Sequence, residues 1–323
     1  MIPDFLTTAL FIYSLSLAAG IVGIWIATLA NSFHAARAER VEKALSQQYM
    51  RVVSAVMFST ESVPSQFPML ERRGAREVLA RVLTTVATSV YGSDVVALGR
   101  MAADNDIDQW LLHKVERSRG VGRAYYMSLL ATLPLTSEMV MRIARYADDR
   151  CRLVRFYTLM IRIGHDSSSA LRELAKYREP FNSFELAEIV AMLRRGLLPV
   201  ACEPLLTSAS RNLRAVGLNI VREFGIEEVK PLLLDIVAYD TDEGIAQDAL
   251  YALVAMHSSL TSREIVTSIR NMHLAERRSL CRRLVHEGYS ATVLERLFGN
   301  GEGQYAQRLV ATYKRRIVCS PQL

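Results

Sequence analysis

Apolar residues dominate the first part of the chain and then recur with helical spacing through the rest. From Phe5 to Phe33 there is no Asp, Glu, Lys or Arg, and the run is long enough for a helix to cross the ~30 Å hydrocarbon layer of a membrane. The pattern predicts one transmembrane helix within residues 1–33, with lipid contact through residues 5–30. A cleavable signal peptide is the alternative, but its apolar region is typically shorter and follows basic residues, whereas only Asp4 is charged here.

The predicted span contains a row of small residues. Ala19, Gly23 and Ala27 recur at four-residue spacing. Small side chains at this spacing let two membrane helices approach closely. These three residues are therefore predicted to pack against another helix in the membrane.

Residues 34–68 keep the helical spacing of apolar positions, but charged residues now separate them. Pro64 and Pro68 then mark a break, so this segment is predicted to be a juxtamembrane helix followed by a linker. No Lys or Arg precedes the apolar span, whereas Arg37 and Arg40 follow it. This bias predicts a single-pass protein of the inner (plasma) membrane, with the N-terminus outside and the C-terminal body in the cytoplasm.

Residues 69–323 are predicted to form a series of helices of about 10 to 16 residues, separated by short breaks with Gly, Pro, Asp, Asn or Ser. No convincing strand pattern occurs, so the body is predicted to be all-α. Six segments share one apolar pattern, and they end at Pro134, Gly164, Gly196, Gly225, His257 and Gly288. Their spacing of about 31 residues indicates one helix pair per repeat, with a charged C-terminal helix capping the series.

The clearest repeats start with polar residues, carry a small residue near the centre and continue as a helix rich in Leu and Val: SRNLRAVGLNIVREFG and DEGIAQDALYALVAMH. In this they resemble the HEAT-repeat superfamily, an armadillo-like class, in its short bacterial form. The resemblance covers roughly Asp94 to Gly288. It implies a right-handed α-solenoid of HEAT-like helix pairs, and because such proteins are mostly scaffolds and adaptors, it implies protein–protein interaction.

The composition gives no sign of catalytic chemistry. Four scattered cysteines form no C-x-x-C motif, and the six histidines form no metal-binding pattern. We therefore predict no catalytic, metal or cofactor site and no enzyme activity. The single pair His286–Glu287 falls short of the several pairs that the di-iron enzymes of the HEAT-repeat class use. Asp108 and Trp110 supply the residue types of a HEAT-like DNA glycosylase, which is the enzymatic alternative.

The chain carries 39 basic and 33 acidic residues, a net charge of +6, and only five of the basic residues are lysine. Arginine suits bidentate contacts with carboxylates and phosphates. The second helices of stacked pairs line one side of a solenoid, which predicts a partner-binding strip of Arg123, Arg152, Arg155, Arg214 and Arg222. A second predicted patch crowds four charges on adjoining helix faces, namely Arg277, Arg278, Arg282 and Arg283. A solvated charged face is the alternative for each arginine.

These patterns together predict a membrane-anchored cytoplasmic scaffold or adaptor that binds a protein partner, which we expect to be a membrane protein. The most specific form of this hypothesis is an accessory subunit of a membrane enzyme such as a glycosyltransferase. The alternative is binding of a polyanion, either anionic lipid or, less favoured, nucleic acid, through the arginine-rich surfaces. Polyanion binding weakens steeply as salt rises, whereas docking to a shaped protein partner survives moderate salt.

Overall fold

The computed structural model describes residues 25, 28, 39–57, 67–72, 74–90, 93–194, 201–256, 260, 262–299 and 304–312. These residues are helical and contain no strand, which confirms the predicted all-α class. The chain divides into two compact units, Met1–Leu135 and Thr136–Leu323. Each unit has its own buried apolar side chains.

The first unit contains five helices in its described part. They are α1 (39–57), α2 (Ala75–Ala87), α3 (Ser93–Asp104), α4 (Ile107–Arg117) and α5 (Gly120–Leu130). Helix α2 packs against α3, α4 and α5, and α4 packs along α5. Leu79 and Leu83 of α2 and Leu111 of α4 are fully buried in this core.

Tyr49 connects α1 to the turn that precedes α2. Its side chain is fully buried, and its ring meets the ring of Phe67 edge-on with 5.6 Å between centroids. Its hydroxyl donates a hydrogen bond to Pro68 O at 2.9 Å. Arg81 of α2 pairs with Glu42 of α1. These contacts hold α1 within the first unit.

The second unit contains twelve α-helices in its described part. They are α6 (Ser137–Ala144), α7 (Arg152–His165), α8 (Ala170–Lys176), α9 (Ser183–Met192), α10 (Cys202–Leu206), α11 (Arg211–Phe224), α12 (Lys230–Tyr239), α13 (Glu243–Ala255), α14 (Arg263–Asn271), α15 (Leu274–His286), α16 (Ala291–Phe298) and α17 (304–312). Single 3₁₀ turns precede α8 and α12.

Several helices of the second unit pack in pairs. Helix α6 packs with α7, α10 with α11, and α12 with α13. The helices α7, α9, α11 and α13 also pack in succession, and so do α12, α14 and α16. Apolar side chains between successive helices are buried, among them Leu218 and Val221 of α11 and Leu250 and Leu253 of α13. We call α7, α9, α11, α13 and α15 the second helices of this unit.

Local signals set the ends of the second helices. Asn182 caps α9 and forms a reciprocal capping box with Glu185, which satisfies backbone N–H groups that have no partner inside the helix. Asp242 caps α13 by accepting hydrogen bonds from two backbone N–H groups of its first turn. Helix α11 ends at Gly225, whose φ of 64° is the left-handed conformation that glycine adopts without strain.

The predicted single-pass membrane topology requires a correction. No helix among the described residues is long and apolar enough to cross a membrane. The longest of them, α1, carries charged residues such as Arg40 and Lys43 along its length. Ala19, Gly23 and Ala27 lie outside the described residues, as does most of the apolar run. The prediction of an inner-membrane protein with its N-terminus outside and its body in the cytoplasm is therefore wrong.

Candidate functional site

Two of the second helices begin with the same pattern, Arg-x-x-Arg. In α7, Arg152 donates hydrogen bonds to both carboxylate oxygens of Glu185, at 2.8 and 2.7 Å. Glu185 lies in the first turn of α9, and its side chain is fully buried. Arg155 pairs with Glu179, which precedes α9. The hydrogen bond to Glu185 raises the pKa of Arg152, and the two ion pairs join the start of α7 to the start of α9.

The start of α11 repeats this arrangement. Arg211 Nε donates to a carboxylate oxygen of Asp242 at 2.6 Å, and Arg214 pairs with Asp240. Burial works to raise the pKa of Asp242, but the hydrogen bond and charge of Arg211, together with the backbone N–H groups of Ile245 and Gly244, outweigh it, so the pKa of this carboxyl lies below its ordinary value. Paired charges therefore join α11 to α13 just as they join α7 to α9.

The fourth residue of α5, α7 and α15 is an arginine that turns back towards the preceding helix. Three of them donate to a backbone carbonyl in the last turn of that helix or in the turn after it: Arg123 Nε to Val115 O (3.1 Å), Arg155 Nη1 to Asp149 O (2.5 Å) and Arg277 Nη1 to Arg270 O (3.4 Å). Carbonyls at a helix C-terminus lack intrahelical partners and carry partial negative charge. These arginines therefore stabilise the connection between the two helices of a pair.

The later turns of the second helices carry charges in a different environment. Arg222 of α11, Asp248 of α13 and Arg283 of α15 are all half-buried. Arg222 Nη2 donates to Oδ1 of the buried Asn219. The guanidinium carbon of Arg283 lies 5.1 Å from the centroid of the Tyr251 ring on α13, the geometry of a cation–π contact. We call Arg222, Asp248, Tyr251 and Arg283 the Arg222–Arg283 cluster.

The charges of this cluster are not neutralised by ion pairs. Burial lowers the pKa of Arg222, and the positive charge of Arg283 lowers it further. Burial also raises the pKa of Asp248, although the charge of Arg222 opposes this effect. Among the described residues, no ion pair within 4.0 Å involves Arg222, Asp248 or Arg283. The cluster therefore contrasts with the helix starts, where each arginine of the two Arg-x-x-Arg patterns faces a carboxylate.

The second predicted patch does not form one surface. Arg277 bonds to the end of α14, and the guanidinium carbon of Arg278 lies 5.2 Å from the ring centroid of Tyr305 on α17. Arg282 is exposed, and Arg283 contacts α13 instead. The structure thus brings together one arginine from each predicted set, Arg222 and Arg283. Arg123 belongs to the first unit, and the other predicted arginines belong to the second.

Sequence reasoning missed the α13 members of this cluster. Asp248 and Tyr251 stand three residues apart and share one face of α13, which a helical reading of the sequence could have identified. No local pattern indicates that this face meets arginines of both α11 and α15, because that meeting depends on the packing of helices far apart in sequence.

A second site of interest is a polar cavity of about 530 Å³ beside α7 and α8, lined by Arg155, Arg162 and Tyr177 among others. The ring of Tyr177 stacks on that of Phe181, with 4.9 Å between centroids and 9° between planes. Its hydroxyl oxygen is buried and has no hydrogen-bond partner within the described chain. Burial and the nearby charges of Glu185 and Glu179 raise the pKa of Tyr177 to about 12.

The side chains considered for metal or DNA-glycosylase chemistry can be placed in the described regions. No group of three or more His, Cys, Asp or Glu side chains there could hold a metal ion. In the first unit, Asp108 accepts a hydrogen bond from the neighbouring Gln109 N at 2.7 Å, and Trp110 packs edge-on against Tyr126. These contacts lie within the helix pair α4 and α5.

The comparisons with known proteins identify no family for this chain. No protein-family model matches the chain, and no curated protein matches it either. The function is therefore argued from the arrangement of the side chains alone.

Proposed function

We propose that the chain is a non-catalytic binding scaffold of the HEAT-like class, a right-handed α-solenoid whose second helices bind a protein partner. Three features support the repeat assignment. They are the spacing of about 31 residues between similar segments, the packing of α7, α9, α11 and α13 in succession, and the paired charges that recur at the starts of α7 and α11. A regular row of helices offers an extended surface for binding another macromolecule.

The observation that carries the binding role is the Arg222–Arg283 cluster. Half-buried charges without counterions cost free energy, because the protein interior solvates them less well than water does. Elsewhere on the second helices the same residue type is neutralised within the chain, as for Arg152 and Arg214. A partner that brings an acidic group to Arg222 and Arg283 would offset that cost. A surface of this kind fits a binding function better than a structural one.

The ion pairs also weigh against a polyanion as the main ligand. A nucleic acid or a lipid surface is bound by a continuous run of uncompensated cations. Four of the arginines at the helix starts face carboxylates of this chain, so their charges are already compensated. Binding to an acidic segment of a protein requires no such run. The narrower hypothesis, that the chain is an accessory subunit of a membrane enzyme such as a glycosyltransferase, has no support in the residues that the structure describes.

The test is affinity capture with the full-length chain from its native cells, at about 0.15 M and at about 0.5 M salt. We expect one protein to be retained in stoichiometric amount at both salt concentrations, with an unrelated tagged protein as the control bait. Retention of nucleic acid or lipid alone, with steep loss at the higher salt, would favour the polyanion alternative. Recovery of the bait alone at both concentrations would overturn the scaffold proposal.

A further inference from the structure

The close packing of the second helices changes after α13. Helix α13 packs closely against α11 and α12, but the backbones of α13 and α15 approach each other less closely than those of α11 and α13. A cavity of about 820 Å³ lies here, lined by the end of α12, the starts of α13 and α15 and one side of α14. We call it the Tyr239 groove. Its lining includes Tyr239, Glu243, Gln247, Arg263, Asn271 and Glu276.

Polar side chains of two helices line the groove at helical spacing. Glu243 and Gln247 stand four residues apart on α13, and Arg263 and Asn271 stand eight residues apart on α14, so each pair lies on one face of its helix. None of these four side chains has a hydrogen bond or an ion pair within the described residues. An amide side chain both donates and accepts, so Gln247 and Asn271 can hydrogen-bond the N–H and C=O groups of an extended backbone.

The groove carries negative charge, although the chain as a whole has a net charge of +6. Its charged lining consists of the carboxylates of Asp240, Glu243 and Glu276 and the guanidinium of Arg263. Arg214 pairs with Asp240 and neutralises it. Glu243 and Glu276 are exposed and have no ion pair in the described part of the chain, so two carboxylates remain against one guanidinium. This excess favours a ligand with a cationic group.

Tyr239 adds an accessible aromatic ring to the same groove. Its side chain is 78% exposed, more than any other large apolar side chain among the described residues. Elsewhere in this unit such rings are covered by arginines of the chain, with Arg278 over Tyr305 and Arg283 over Tyr251. No lysine or arginine of the described residues lies over Tyr239. Its ring is therefore available to a guanidinium from outside the chain.

We propose that the Tyr239 groove binds an extended segment of the protein partner through one arginine side chain of that segment. The proposal rests on the proposed scaffold function and names a further contact with the same partner, apart from the Arg222–Arg283 cluster. The guanidinium would pair with the carboxylates of Glu243 and Glu276 and stack on the Tyr239 ring. Arginine is suited to both contacts, because its planar group pairs with carboxylates and also lies flat on aromatic faces.

The lining favours a peptide segment over a small cation. Sites for small molecules are mostly apolar with a few polar groups, whereas the lining of this groove is more polar than apolar. The groove also extends over parts of four helices, α12 to α15, which is more surface than one guanidinium covers. A chain segment would fill it and would supply the backbone groups that match the amides of Gln247 and Asn271.

The experiment measures the binding of blocked peptides to the full-length chain by saturation-transfer NMR. The probes are acetyl-Ala-Arg-Ala-amide, the same peptide with citrulline in place of arginine, and methylguanidinium. Citrulline has the shape of arginine without its charge, and methylguanidinium has the charge without a backbone. We expect a Kd on the order of millimolar for the arginine peptide. The other two probes should bind about tenfold more weakly, because each lacks one set of contacts.

Variants of the groove should weaken the binding of the arginine peptide. We expect Glu243→Gln and Glu276→Gln each to lower the affinity about threefold, as is typical of an exposed ion pair, and the double variant to lower it about tenfold. Tyr239→Ala should lower it about threefold through loss of the cation–π contact. Glu228→Gln is the matched control, since it removes an exposed carboxylate of the same unit outside the groove and should leave the affinity unchanged.

Three outcomes would contradict the proposal. They are equal binding of the arginine and citrulline peptides, equal binding of the arginine peptide and methylguanidinium, and an unchanged affinity of the double variant. If the capture experiment still retains a partner, any of these outcomes removes only this contact. Recovery of the bait alone in that experiment would remove the scaffold function whatever the peptides do, so the two failures are distinguishable.

Discussion

The guanidinium groups of the described helices lie in different environments, and the environment decides what each group can bind. Arg152 faces a fully buried carboxylate, Arg277 faces a backbone carbonyl, and Arg283 faces an aromatic ring. The first two groups donate hydrogen bonds within the protein and contribute to its stability. The third group is held by a ring that cannot accept a strong hydrogen bond in the plane of the guanidinium. Binding capacity therefore differs among arginines that the sequence presents as equivalent.

Tyr177 is a residue whose polar group works against the stability of the fold. Its hydroxyl is buried without a hydrogen-bond partner in the described chain, so Tyr177→Phe removes an unsatisfied group and keeps the ring that stacks on Phe181. We expect the variant to raise the free energy of unfolding by about 1 kcal/mol at neutral pH, measured by urea titration. The matched control is Tyr125→Phe, because the Tyr125 hydroxyl donates to Glu77 at 3.1 Å and its loss should destabilise the protein instead.

The pKa of Tyr177 adds a dependence on pH to this prediction. The pKa is raised to about 12 in the folded chain, whereas an unfolded tyrosine titrates near 10. Between these values the unfolded chain binds fewer protons, so the free energy of unfolding of the wild type is unaffected by this titration below about pH 10 and falls as the pH rises towards 12. The advantage of Tyr177→Phe over the wild type should therefore grow between about pH 10 and pH 12. A constant difference over this range would contradict the assignment of a buried hydroxyl.

At the scale of the helix pair, the approach of α10 to α11 depends on Gly217. A Cβ atom at this position would lie 2.9 Å from Leu205 Cβ and 3.2 Å from Leu206 Cδ2, closer than side chains ordinarily approach. Alanine is otherwise favoured over glycine inside a helix by about 1 kcal/mol. At this position the close packing of α10 against α11 therefore favours glycine, whereas helix propensity favours alanine.

The Gly217→Ala variant should lower the free energy of unfolding by about 1–3 kcal/mol, because the extra methyl group forces α10 away from α11. Gly164→Ala in α7 is the matched control: its nearest new neighbour would be Met192 Cε at 3.9 Å, an ordinary contact. That control should be neutral or stabilising by about 1 kcal/mol. Thermal unfolding of both variants shows whether each substitution stabilises or destabilises the protein. A stabilising Gly217→Ala would contradict the close packing of this pair.

The sequence was sufficient for most of these helices because the signals that define them are local. The 3.6-residue spacing of apolar positions and the breaks at residues such as Gly225 and Gly288 correctly located α7, α11 and α15. The contacts that select the binding residues are not local. Arg222 and Arg283 are far apart in sequence, and Val115 O accepts from Arg123 only because α4 and α5 pack together. The spacing of charges along the chain therefore identified candidate arginines, but it could not distinguish arginines paired within the chain from arginines without an ion pair.

The membrane prediction was wrong for a related reason. Hydropathy describes a segment, whereas a membrane-spanning helix is a property of the structure, and no such helix exists among the described residues. The longest described helix, α1, follows the apolar run on which the prediction was based; it has polar and charged residues on its exposed side and buries Leu45, Tyr49 and Val53. Its apolar side chains are explained by packing within the first unit.

In the second unit, α7, α9, α11 and α13 contact one another in succession, which is the arrangement that the proposed solenoid requires. Helix α9 packs against α7 and α11, and its buried Glu185 holds Arg152 of α7. In such an array, stability is approximately a sum of the stabilities of the pairs and of the interfaces between neighbours. A local defect should therefore loosen the adjacent helices more than distant ones.

This expectation separates a repeat array from a single cooperative core, and Glu185→Ala tests it. The substitution removes the charged hydrogen bonds between Arg152 and Glu185, leaves Arg152 with its longer ion pair to Glu179, and removes half of the α9 capping box, which together should cost about 3 kcal/mol locally. Amide hydrogen exchange should then accelerate about a hundredfold in α7, α9 and α11, with much less change in α14 and α16. The control Glu223→Ala breaks an ion pair with Arg194 that is exposed on both sides, and it should change exchange little. Equal acceleration in all helices from α6 to α16 would mean that the unit unfolds as one body, and it would contradict the nearest-neighbour array on which the scaffold proposal depends.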